Sequence, residues 1–138
     1  MVVTDGQELT LGDTTIRLYL TPGHTAGTTS LDFPVREGGN TYRVFMWSGP
    51  TLQSNELPLM EAFLATTKRL QTLTKGAQVW LHSHPWSVSF HQKADRLKAR
   101  KAGEPNPFVN PDEIPVFLQQ RLEDTEKRIA AVRAKSKG

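Results

Sequence analysis

The sequence predicts an α+β fold, a single mostly antiparallel sheet layer covered by helices. Two observations carry that prediction. Strand-like alternation broken by turn residues fills the first third of the chain, and apolar residues at helical spacing dominate the rest around one brief strand. A chain of 138 residues can bury a real core, so residues 1–138 read as one domain.

Gln7 to Leu11 is a short strand, followed by the turn residues Gly12-Asp13. Thr15 to Leu20 comes next, with Ile16, Leu18 and Leu20 alternating against Arg17 and Tyr19 as in a half-buried strand. After a Pro-Gly turn, Thr28 to Phe33 forms a third strand that Pro34 closes. Glu37-Gly38-Gly39-Asn40 is a hairpin connection into Tyr42 to Trp47, whose run Val44-Phe45-Met46-Trp47 is apolar on both faces and calls for cover on both. Ser48-Gly49-Pro50 ends it. A helix is predicted from Leu57 to Thr74, burying Leu59, Met60, Phe63, Leu64, Leu70 and Leu73 as one stripe, with Gly76 as its stop. Val79-Trp80-Leu81 is a brief buried strand running into His82-Ser83-His84-Pro85, and a second helix covers Phe90 to Lys101. Gly103 to Pro111 is an irregular loop. The last helix opens at Pro111-Asp112-Glu113, where proline and acids suit a helix start. It buries Ile114, Phe117, Leu118, Leu122, Ile129 and Val132, sets Glu123/Lys127 and Asp124/Arg128 at i,i+4 on its outside, and frays over the last five residues. The other face of the apolar strands finds no obvious cover within the sequence.

The composition, 37% hydrophobic and 22% charged, is that of an ordinary soluble globular protein. No apolar stretch approaches the roughly 18 residues of a membrane span, and the first residues lack a signal-peptide core. No membrane partner is expected, and the compartment stays open. The absence of cysteine excludes disulfides and thiolate zinc sites, so any metal must use the four histidines with carboxylates or water. Positive charge gathers in Lys93 to Lys101 and in Arg133 to Lys137 within a modest net charge of +3. No aromatic residues interleave with Arg96-Leu97-Lys98-Ala99-Arg100-Lys101, so that run reads as a solvated helix face, and no nucleic-acid partner is expected.

The segment Thr21-Pro22-Gly23-His24-Thr25-Ala26-Gly27-Thr28-Thr29-Ser30 holds the most particular chemistry. Pro22 presets its backbone and Gly23 accepts a left-handed one, so a sharp turn fixes His24 at the rim of the sheet. His24 is either a metal ligand or an ordinary turn histidine; in the first case Thr25, Thr28 and Ser30 offer hydroxyls to orient the imidazole. His84 ends another strand sixty residues on, and strand ends along one sheet edge converge, so the two imidazoles can meet over one ion. Zinc accepts histidine nitrogen and keeps a position open for water in catalytic sites. His82 and His84 form an H-x-H pair whose members point the same way on a strand, which leaves His82 either a further ligand or a sheet-edge hydrogen-bonding residue. His91, near a helix start, is expected to be merely exposed. Trp86, Ser87 and Phe90 follow the His84 turn and either line a substrate pocket or pack in the core.

These features together resemble the C-terminal half of a metallo-β-lactamase-fold protein, nearest to the serine-variant, B3-like subclass and its relatives. The resemblance rests on Asp5-Gly6 with Leu9 to Gly12, Thr21 to Ser30, Trp47-Ser48-Gly49, His84-Pro85 and Glu104-Pro105-Asn106-Pro107-Phe108-Val109. It implies half of an αββα sandwich and zinc as cofactor, with His24 matching the last ligand of a first zinc site and His84 a ligand of a second. It also implies hydrolysis of β-lactams, thioesters or similar carbonyl compounds by a metal-held hydroxide. The family's first ligand cluster, H-x-H-x-D-H, is absent from the chain: His82-Ser83-His84-Pro85-Trp86-Ser87 starts that way but has Trp86 and Ser87 where Asp and His belong. The turn Ser48-Gly49-Pro50-Thr51 lacks the Asp or Cys many members carry, as in the serine variants.

The expectation is therefore part of a zinc-dependent hydrolase, inactive without a missing N-terminal half. The chain starts at Met1-Val2-Val3 just ahead of a strand and reads as a half: truncated, engineered or one component of a split protein. The alternative is a non-catalytic folded half that pairs with itself or with a partner chain through its uncovered sheet face.

Overall fold

The computed structural model describes residues 2–136. Short connections force the first four strands to pair in sequence order. β1 (Gln7–Leu11) reverses into β2 (Thr14–Leu20), and the His24 turn leads to β3 (Thr29–Glu37). A two-residue turn at Gly38-Gly39, with φ of 53° and 85°, leads to β4 (Asn40–Trp47). Both turn residues need positive φ, which glycine supplies without strain. Helix α1 (Leu57–Leu73) then carries the chain back, so β5 (Val79–His82) lies parallel to β4. The sheet has the order β1-β2-β3-β4-β5 and is antiparallel except for that last pair. A 3-10 turn (Pro85–Val88), α2 (Phe90–Ala99) and α3 (Glu113–Lys135) complete the chain.

The register puts Tyr19, Ser30, Asp32, Phe45, Trp47, Trp80 and His82 on one face. Phe63 and Leu70 of α1 and Ile114 and Leu118 of α3 close over it, and Trp47 and Trp80 are almost wholly buried there. The other face carries Leu9, Ile16, Leu18, Leu20, Leu31, Phe33, Val35, Val44, Met46, Val79 and Leu81. It is equally apolar yet not closed: Leu9, Leu20 and Val35 are 41%, 37% and 43% exposed. The sheet layer, its helical cover and its open face match the sequence-based expectation.

Several details differ. Pro34 does not end its strand; β3 continues to Glu37. Beyond Asp32, β3 pairs with β4 alone, so a residue without an N–H costs no ladder bond on the unpaired side. In β2 the helices cover the Tyr19 side, where its ring stacks on Phe45 at 6.0 Å, while Leu20 stays exposed. The stripe of α1 runs through Thr66 and Thr67 between Phe63 and Leu70, and Leu59 and Leu64 are only half-buried. Both threonines satisfy their hydroxyls on carbonyls, Thr66 on Pro22 and Thr67 on Phe63, which makes them tolerable inside.

The basic run is not uniformly solvated. Lys93 is 7% exposed and donates to Glu113 Oε1 at 2.5 Å, and Arg100 pairs with Glu37 across to the hairpin. Among the described residues neither Glu123/Lys127 nor Asp124/Arg128 forms an ion pair. Arg128 reaches instead to the carbonyls of Leu52 and Ser54 and to Asn55 Oδ1, and Asp124 takes Arg121. Ala134 and Lys135 remain helical, so the fraying expected there does not occur; Lys137 and Gly138 lie outside the described residues.

Candidate metal centre

Two turns at the same end of the sheet bring His24 and His84 together. Gly23 reaches φ +132°, and a Cβ on it would lie 2.3 Å from the Phe63 backbone, so only glycine lets the turn press onto α1. Thr66 Oγ1 donates to the Pro22 carbonyl from the same helix. From the other side Gly49 closes against His24: a Cβ there would lie 2.5 Å from His24 Cβ. The His24 position is therefore fixed by backbone packing on two sides.

Its ring is fixed as well. His24 Nδ1 lies 2.6 Å from the Thr51 carbonyl oxygen. A carbonyl only accepts, so Nδ1 carries the hydrogen and donates, leaving the Nε2 lone pair free. This is how a metal-ligating histidine is usually oriented. Thr51 had no signal in the sequence, because its nearer contact is made by its main chain, with its hydroxyl at 3.3 Å from the same nitrogen. The hydroxyls expected to orient the imidazole act differently. Thr28 Oγ1 accepts the Thr25 N–H, and Ser30 Oγ meets Thr21 Oγ1 at 2.7 Å and accepts the Ser48 N–H. Thr25, Thr28 and Ser30 hold the backbone of the turn rather than the ring, since their side chains point back across it.

His84 stands just past β5, with extended backbone at φ −104° before the Pro85 turn. Its ring centroid lies 5.3 Å from that of His24 at an interplanar angle of 65°. Its Nε2 is buried and has no hydrogen-bond partner in the protein. Ser83 ties this segment to the Gly49 turn: its hydroxyl donates to the Ser48 carbonyl and its N–H to the Trp47 carbonyl. Thus the two imidazoles are brought together by tied backbone segments.

His82 is not part of that pair. Its ring lies within the aromatic core, 4.9 Å from Trp80 and 4.7 Å from Phe117, and its Nδ1 bonds to Ser87 Oγ. Burial, with lesser effects from His84, Lys93 and Arg121, holds its pKa down to about 3, so it is neutral. The i,i+2 expectation fails because the strand ends at His82 and the chain turns before His84. His91 is exposed on α2, as expected.

Of the pocket candidates, Trp86 is 71% exposed and stacks on His84 at 4.7 Å. Phe90 is 38% exposed and packs edge-on against Phe108, while Ser87 is half-buried and hydrogen-bonded to the His82–His84 segment. A groove of about 710 Å³ lies away from the histidines, along Arg17, Asp32 and Arg43. Its charges are already paired, Arg17 with Glu8 and Arg43 with Asp32, so it carries no chemistry of its own.

The two imidazoles suit zinc as donors: one has its free nitrogen set by a second hydrogen bond, and the other has a buried nitrogen without a partner. They do not complete a site. Among the described residues no group of three or more His, Cys, Asp or Glu side chains could hold a metal ion. Among the same residues no helix is long and apolar enough to cross a membrane.

No family model matches this sequence, and no curated protein does. Solved structures do. The subclass B3 metallo-β-lactamase BJP-1 of Bradyrhizobium japonicum is 28% identical, with a TM-score of 0.79 over 96% of this chain and 51% of its own. A metallo-β-lactamase of Cronobacter sakazakii is 26% identical, with a TM-score of 0.81 over 97% of this chain and 51% of its own. The class B3 di-zinc enzyme LRA-12 from an Alaskan soil metagenome is 23% identical, with a TM-score of 0.74 over 93% and 50%. The chain spans about half the length of the structures it matches. It is similar over nearly its whole length to half of a subclass B3 metallo-β-lactamase, consistent with the C-terminal half of that fold.

Proposed function

We propose that this chain is the C-terminal part of a zinc-dependent hydrolase acting on a β-lactam, thioester or similar carbonyl compound. The observation that carries the reading is the meeting of His24 and His84, sixty residues apart in sequence, with ring centroids 5.3 Å apart at one sheet rim. His24 would offer Nε2, its tautomer set by the Thr51 carbonyl, and His84 its unpartnered Nε2. Zinc, when bound, supplies a Lewis acid that lowers the pKa of water toward neutrality. The chain's own part is to present two nitrogens at fixed positions and to hold Trp86 beside them as a wall for substrate. The remaining ligands would come from a complementary half lying on the open sheet face.

Assaying a chromogenic cephalosporin tests this directly. The isolated chain with added zinc should give no turnover. Joined to the N-terminal half of a B3 lactamase, it should give turnover that His24→Ala or His84→Ala abolishes. Turnover by the isolated chain, or joined-half activity indifferent to both substitutions, would sink the reading.

A second reading rests on the open face alone: a non-catalytic half that binds a second copy or another chain there. Exposed Leu9, Leu11, Leu20 and Val35 favour it, because an apolar sheet face of that extent seeks cover. Light scattering of the chain over a concentration series, with and without chelator, separates a monomer from such an assembly and shows whether metal helps to hold it.

A further inference from the structure

The geometry points to His82 as a positioning residue for His84, acting through Ser87. This rests on the reading of His84 as a ligand only for its consequence for zinc; the positioning itself stands on contacts within the chain. His82 is 6% exposed and wedged between Trp47, Trp80 and Phe117, with ring centroids 6.2, 4.9 and 4.7 Å away. Such packing leaves the imidazole one orientation. Its Nδ1 meets Ser87 Oγ, and the Ser87 hydroxyl donates to the His84 carbonyl at 2.8 Å. Because that hydroxyl hydrogen is committed to the carbonyl, His82 Nδ1 is the donor of the pair. The Ser87 N–H also donates to the His84 carbonyl, at 3.1 Å. One oxygen of His84 is therefore held twice by Ser87, and Ser87 is held by a ring locked in the core.

The turn needs that second hold. Two residues on, Ser89 sits at φ 53°, the only non-glycine with positive φ among the described residues. A left-handed serine persists where its surroundings over-determine it. The 3-10 turn offers little packing of its own, since Trp86 is largely exposed and Val88 is its buried residue. The core reaches this turn at its end through Val88, and at the residue that holds the His84 carbonyl through the His82–Ser87 bond. An apolar residue of similar volume at position 82 would fill the same space but leave the Ser87 hydroxyl attached to nothing but its own turn.

The full chain tests this with three variants: Ser87→Ala, His82→Phe, which keeps an aromatic ring, and His82→Asn, whose Nδ2 can stand in for the imidazole Nδ1. Two readouts are needed, amide exchange of Ser87 with the ¹⁵N shifts of the His84 ring, and calorimetric zinc titration of the chain joined to the N-terminal half of a B3 lactamase. Ser87→Ala serves if His82→Phe proves poorly folded by circular dichroism. Ser87→Ala should shift the His84 ring resonances, His82→Phe should also speed Ser87 exchange about tenfold, and both should weaken zinc binding about tenfold, as lost outer contacts do. His82→Asn should restore both to within about threefold of the parent. Unchanged exchange in His82→Phe together with unchanged His84 shifts in Ser87→Ala would overturn the assignment. If exchange and shifts respond while the chain joined to the N-terminal half of a B3 lactamase takes up no zinc, the positioning role stands and the metal reading fails.

Discussion

The two histidine turns lie side by side and both use hydrogen bonds, yet only the first is also clamped by close backbone packing. The His24 turn is clamped by backbone contact: Gly23 on Phe63 and Gly49 on His24 leave no room for a methyl group on either glycine. The His84 turn is held by side chains, a hydroxyl and a buried imidazole, and carries a strained serine and an exposed tryptophan. Steric fixation is rigid and tolerates no change of residue. Polar fixation leaves room to move, which would suit the ligand-admitting side of the proposed site. If the comparison is right, substitutions at the first turn act on folding, and those at the second act on the site.

Gly23→Ala breaks the comparison hardest. Its Cβ would stand 2.3 Å from the Phe63 Cα, at a φ of +132° that alanine rarely adopts. Overpacking and backbone strain cost roughly 1–3 kcal/mol each, so the loss should be about 4 kcal/mol. Denaturant unfolding measures it. A loss below about 1 kcal/mol would mean that the turn yields easily and is not the rigid member of the pair.

Acid is the next lever. His82 has its pKa lowered by burial from 6.5 to about 3, so it stays neutral in the fold while the unfolded chain takes up a proton below pH 6.5. The unfolded state then binds more protons, and stability falls as pH drops from about 6.5 toward 3, by up to about 1.4 kcal/mol per unit. Asp5, held low by Arg69, and Glu37, held low by Asn106 and Arg100, act in the same direction only at lower pH, where carboxylates protonate. Stability at pH 5 should therefore lie about 2 kcal/mol below that at pH 7. In His82→Phe this difference should largely vanish. Equal pH slopes in the two proteins would show that His82 is not the buried neutral group described.

The difference between the turns also explains what could be read from sequence. His24 was legible because steric fixation demands particular residues: Pro22-Gly23 ahead of it are visible as types, whereas the approach of Gly49 from the other side is seen only in the fold. The two-faced apolar strand Val44 to Trp47 announced a sheet with cover on both sides, and the structure shows helices on one. The hold on His84 was not legible. H-x-H leaves His82 either a ligand or a sheet-edge residue until the end of β5 is known to fall between the two, and nothing local says that His82 enters an aromatic core. Thr51 was hidden for another reason, since any residue supplies a carbonyl. Lys93 stood out only as one of several positive charges because its partner, Glu113, lies twenty residues on.

Trp86→Ala sharpens the comparison with the smallest expected effect. Trp86 is 71% exposed, whereas Trp47 and Trp80 are 0% and 1% exposed. Removing a side chain that packs chiefly on one imidazole should change stability by less than about 0.5 kcal/mol, a shift of about 2 °C in Tm for a chain of this size. The fluorescence should change far more. Trp86 is the tryptophan stacked on His84, so copper(II), a quencher that imidazoles bind, should dim the parent protein and leave Trp86→Ala nearly unaffected. A fall in Tm of more than about 5 °C would place Trp86 in the framework and make the His84 turn as firmly packed as its neighbour. Equal quenching in the two proteins would put the copper elsewhere and deprive the His24–His84 pair of its role as a cation site.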